Sequence, residues 1–91
     1  ALRARELAPN DPAVADTLGW IAYQKGDFSF ARDLLEESSK KLADPSVAYH
    51  LGKAYEALEM DTAAKNAFEK ALSLGLSGDE ESDAKNAIGT L

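Results

Sequence analysis

The layout of residues 12–44 is repeated by the 33 residues after them. Pro12 recurs as Pro45, Leu18-Gly19 as Leu51-Gly52, Ala31 as Ala64, Leu35 as Phe68, and Ser38 as the equally small Ala71. A fixed period of about 20 to 50 residues marks a solenoid, in which each unit buries its apolar face only by stacking on its neighbour. A chain of 91 residues holds two such units with a remainder at each end. At this size roughly 60 to 65 per cent of the unfolded surface is buried on folding, so the core is thin.

Within each unit the period of the apolar residues is helical. Asp11 caps and Pro12 opens a first helix, whose stripe is Val14, Leu18, Ile21 and Ala22 with the stem of Lys25. It ends near Lys25, with Gly26 as a left-handed cap and Asp27 capping the next helix. That second helix, about Phe28 to Lys41, turns Phe28, Ala31, Leu34, Leu35, Ser38 and Leu42 inward. Glu36 with Lys40, and Glu37 with Lys41, are spaced as ion pairs on its solvated side. Asp44-Pro45 restarts the cycle, and Val47, Ala48, Leu51, Ala54, Tyr55 and Leu58 form the next stripe. The turn Glu59-Met60-Asp61 lacks a glycine like Gly26, so one of its residues is expected to carry backbone strain. A fourth helix, from Thr62 to about Leu74, buries Ala64, Ala67, Phe68, Ala71 and Leu72 before Gly75 ends it. Ser77 and Glu80 have the spacing of a capping box and open a short last helix. Residues 1 to 8 read as the last turns of a helix stopped by Pro9 to Pro12.

Composition narrows the function classes. Apolar residues make up 45% and charged residues 29%, too apolar for disorder. The chain contains no cysteine, which removes thiolate chemistry and disulfides, and its lone histidine, His50, has no clustered ligands around it in sequence, so neither a metal nor a cofactor is implied. A serine-histidine-acid site lacks any recognisable nucleophile turn, and Gly75 and Gly78 do not make a phosphate loop. The net charge of −6 opposes sequence-independent nucleic-acid binding. Half of it comes from the tail, where Asp79, Glu80, Glu81 and Asp83 against Lys85 give −3, as expected for a helix start whose acids favour the dipole. No apolar run is long enough to span a membrane, and no leader opens the chain, which begins within a helical pattern like an excised piece. The compartment stays open between cytoplasm and bacterial envelope.

Helix pairs of this length, with Leu18-Gly19, Ala31, Leu35 and Ser38, then Leu51-Gly52, Tyr55, Ala64, Phe68 and Ala71, and with Ala4 and Pro9 before them, resemble the tetratricopeptide repeat. Asp16-Thr17-Leu18-Gly19-Trp20 is also similar to terminal repeats of bacterial envelope-associated proteins and lipoproteins of that family. The resemblance implies an all-α, right-handed superhelix of antiparallel helix pairs, with five to six helices in one domain. Residues 1–9 would be the second helix of a preceding unit, 12–44 and 45–76 two full units, and 77–91 a capping helix or half unit. Ala15 and Ala48 stand where the family usually has an aromatic, and Ala22 where it has a tyrosine, so the core is expected to be slightly underfilled.

The resemblance further implies that first helices line a concave surface, a non-catalytic site for a peptide or protein segment. Asp16, Trp20, Tyr23 and Gln24 lie off the inner stripe of the first unit, and Tyr49, Lys53 and Glu56 off that of the second, with His50 beside them. Trp20, Tyr23, Tyr49 and Lys53 are the expected binding residues, and Asp16, Gln24, His50 and Glu56 the polar selectors. Partly wet aromatics favour anchoring. Two alternatives stay open for Trp20, which could instead cover the open end or pack on the neighbouring unit. Lys53 could receive an acidic group or simply be solvated. A spacer or homo-oligomer built through the apolar edge of Leu2, Leu7 and Val14 is the competing reading.

Overall fold

The computed structural model describes residues 11–91. Helices α1 (Pro12–Gln24), α2 (Phe28–Lys41), α3 (Pro45–Ala57), α4 (Asp61–Ser73) and α5 (Gly78–Thr90) account for the secondary structure of the described residues, which contain no strand. The expected helix at residues 1–8, with Leu2, Ala4 and Leu7, and the stop at Pro9 lie outside the described residues.

The two unit starts are built alike. Asp11 Oδ1 accepts from the backbone N–H of Ala13 at 2.9 Å and Val14 at 3.4 Å, and Asp44 Oδ1 accepts from Ser46 at 2.8 Å and Val47 at 3.4 Å. Each carboxylate satisfies orphan donors, and the proline after it needs none. The helix ends are also alike. Gly26 has φ +85°, Glu59 φ +59° and Gly75 φ +100°, and after each the next N–H returns to a carbonyl in the last turn, from Asp27 to Ala22, Met60 to Tyr55 and Leu76 to Ala71. Glu59 is thus the strained residue of the turn that lacks glycine, at a cost of about 1 kcal/mol. Two expected caps are absent: Asp27 and Ser77 occupy cap positions, but neither side chain bonds the helix it precedes.

Small residues set how closely the helices pack. A Cβ built on Gly19 would lie 2.7 Å from Leu35 Cγ, and one on Gly52 would lie 2.7 Å from Cδ1 and Cε1 of Phe68. Side chains of α2 and α4 therefore rest on the bare backbone of α1 and α3. Ala15 and Ala48 are 3% and 2% exposed, so close approach, not a larger side chain, covers them. One core cluster joins Ala22, Ala31, Leu35, Leu51, Ala54 and Ala67. A second joins Ala48, Tyr49, Ala64, Phe68, Ala71, Leu76, Ala84 and Ala87. Each runs from one helix pair into the next, so neighbouring pairs share their apolar core. Ser38 is fully buried and donates its hydroxyl to the Pro12 carbonyl at 2.7 Å, tying the end of α2 to the start of α1.

Two expected core positions are exposed, Ile21 at 38% and Leu42 at 36%, and Val14, Phe28, Tyr55, Leu58 and Leu72 are half-buried. Leu42 has left the helix for an extended backbone, φ −134°, which turns its side chain out. Glu36 is not confined to the solvated side either. It accepts the Tyr55 hydroxyl of α3 at 2.5 Å, and burial together with that bond pushes the Tyr55 hydroxyl up to about 12.

Candidate functional site

α1, α3 and α5 are brought side by side by two cross-helix contacts that each span 34 residues. His50 Nδ1 of α3 lies 2.9 Å from Asp16 Oδ1 of α1, and Tyr49 of α3 donates its hydroxyl to Asp83 Oδ2 of α5 at 2.5 Å. One period plus one residue is the step from one first helix to the facing position on the next. The surface they share carries the residues singled out in the sequence.

Trp20 is half-buried, and its ring stacks on Tyr23 at a centroid separation of 4.8 Å and on His50 at 4.1 Å. Tyr23 lies one turn further along α1, as its spacing of three requires. The stack crosses from α1 to α3, so Trp20 is packed on the neighbouring helix. His50 is correspondingly not an ordinary surface residue: its side chain is 13% exposed, held between the Trp20 ring and the Asp16 carboxylate.

Tyr49 differs from its expectation as a wet aromatic. It is 8% exposed, packed on Phe68 at 6.0 Å, and its hydroxyl alone reaches the surface, at Asp83. Burial, then the bond to Asp83, drives that hydroxyl far above the usual phenol range. The reason is that Tyr49 sits between α4 and α5, and an α5 at that place covers what two units alone would leave wet. Lys53 is not simply solvated. Its ammonium lies 3.2 Å from Asp83 Oδ2 and 3.6 Å from Glu56 Oε1. Burial acts to lower its pKa, but the Asp83 bond and nearby negative charge outweigh this and raise it. Gln24 is exposed at the end of α1, and Glu56 is half-buried beside Lys53.

Asp83 is the site residue that sequence reasoning missed, having read it as one of the acids that favour the start of the last helix. Counting 34 residues from Tyr49, as from Asp16 to His50, would have found it. The Tyr49 bond first, then Lys53, hold its carboxyl below the ordinary carboxylate range against the opposing effect of burial. A depressed native value stabilises above the unfolded value of about 4 and stops doing so as pH falls through the native one. Hydrogen-exchange protection in α5, corrected for the intrinsic pH dependence of exchange, is therefore expected to fall in that acid window more than in α2, and Asp83→Asn should remove the difference. An α5 protected equally at neutral and acid pH would contradict the assignment.

No family model matches the chain. Over 52 residues it is 40% identical to a TPR repeat-containing protein of Pseudomonas aeruginosa. That match supports a tetratricopeptide-like family. It takes in 57% of this chain but 9% of the relative's length, so the chain corresponds to a small part of that protein. The tetratricopeptide-like likeness points to a protein-interaction module, in keeping with helical pairs that stack without a strand among the described residues. No helix of the described residues is long and apolar enough to cross a membrane.

Proposed function

We propose that residues 12–44 and 45–76 act as two repeat units closed by 77–91, and that the surface of α1, α3 and α5 binds a peptide or protein segment without catalysis. The observation that carries this reading is the Tyr23–Trp20–His50 stack, a rigid aromatic platform left half-open at the junction of two first helices. Preorganised aromatics lose little side-chain entropy on binding and dominate interface energies. Asp16 acts through His50 by holding its ring against Trp20, and Tyr49 acts from within the core by fixing Asp83. The acidic balance of the chain supports protein over nucleic acid as partner.

Trp20→Ala tests it. For a peptide captured by the unaltered chain, affinity is expected to fall about 30-fold, equivalent to ~2 kcal/mol, with helicity by circular dichroism unchanged. Retained affinity in a folded variant would remove the surface from consideration.

A second reading, stacking on further repeats or on another copy, has its own support. Ile21 is 38% exposed where Ala54, its equivalent in the next unit, is fully buried. Val14, of the edge named from the sequence, is half-buried, while Leu2 and Leu7 lie outside the described residues. Light scattering on the same samples separates the two readings. Mass growing with concentration while Trp20 emission moves to the blue favours stacking, and a constant monomer mass favours the free groove.

A further inference from the structure

Charge is not spread evenly over the helices. α1, α3 and α5 carry Asp16, Glu56, Asp79, Glu80, Glu81 and Asp83 but only Lys53 and Lys85 as bases. α2 and α4 are balanced, five bases (Arg32, Lys40, Lys41, Lys65 and Lys70) against five acids. The net acidity of the described helices thus belongs to the set formed by α1 and α3, which carry the aromatic stack, and α5, which is joined to α3 through Asp83. Both of the lysines there are already engaged, Lys53 by Asp83 and Glu56, and Lys85 by Glu81 at 3.2 Å. A carboxylate arriving from a partner would have to displace Asp83, which also holds the Tyr49 hydroxyl. An arriving ammonium or guanidinium meets an excess of carboxylate, in which Asp79 and Glu80 hold no ion pair among the described residues, and shares Glu56 and Asp83 with Lys53.

We infer that the partner of this surface is a basic protein segment whose lysine or arginine heads meet the α3–α5 carboxylates while their aliphatic stems lie along the half-open aromatic platform. The inference rests on the groove reading above and adds to it the chemistry of the occupant. Long cationic side chains suit such a surface because an apolar stem and a charged head are satisfied at once. The apolar platform supplies contact area, and the segregated charge supplies orientation and selection against acidic segments.

A random peptide library panned against the immobilised 91-residue chain provides the probe. Captured peptides are expected to be net positive, to shift Trp20 emission on binding, and to bind about tenfold more weakly at high than at low salt. Glu56→Gln combined with Glu80→Gln should weaken them by about five- to tenfold, whereas Glu69→Gln on α4 should leave affinity unchanged. Neutral or acidic peptides that shift Trp20 emission and lose affinity on Trp20→Ala would overturn the basic partner and leave the groove standing. Binding indifferent to Trp20→Ala, or no capture of any peptide, would overturn the groove itself.

Discussion

Phe68→Ala is expected to lower stability by about 3 to 5 kcal/mol, seen as a fall in the urea midpoint with little change in slope. Phe68 is the largest fully buried side chain of the described residues and is at once the contact of α4 with the bare backbone at Gly52 and the ring on which Tyr49 packs. Its removal leaves a cavity in a cluster rich in alanine, Ala48, Ala64, Ala71 and Ala84, whose short side chains fill little of it. Against a total of roughly 5 to 15 kcal/mol, that is a large fraction of the fold's stability. Phe68→Leu should cost about 1 kcal/mol, because Leu35 fills the equivalent place on α2. A loss under about 1 kcal/mol for alanine would mean that the second core is not organised around this ring.

Gly52→Val is expected to cost about 3 kcal/mol or more, although valine is the better helix former. A Cβ there meets the Phe68 ring at 2.7 Å, and the two methyls of valine extend the clash, so α3 and α4 must separate or the ring must leave its rotamer. The same substitution reads differently elsewhere in the repeat. Gly89 follows Ile88 as Gly52 follows Leu51, yet nothing lies within 4 Å of a Cβ built on it. Gly89→Ala should therefore stabilise α5 by about 0.5 kcal/mol through helix propensity alone. In a Phe68→Ala background the cost of Gly52→Val should shrink by about 1 to 3 kcal/mol, the signature of direct contact. Equal costs in the two backgrounds would place the strain elsewhere.

The candidate site was legible in part, and the division follows the range of the interactions. Trp20, Tyr23, His50 and Lys53 could be assigned to one face because helical spacing fixes which residues share it. That Trp20 and His50 stack, that Asp16 holds His50, and that Asp83 completes the group depend on the offset between neighbouring first helices. Tyr49 was misjudged as wet for the same reason: its face points to the side on which α5 docks.

Taken alone, the sequence determined the helix pairs, the Asp11 and Asp44 caps, the strained turn at Glu59, and the small residues at Gly19 and Gly52. These arise from local chemistry and from a period that recurs after 33 residues, whatever the chain does at long range. Only the tertiary structure decided which polar groups meet. The 34-residue step between first helices joins Asp16 to His50 and Tyr49 to Asp83. It also brings Asp83 to Lys53. A side chain's helical face is fixed by a rotation of about 100° per residue, but its partner is fixed by how far one helix slides along the next. That slide is set by the summed packing of alanines and Phe68 across the unit boundary, which no local pattern contains.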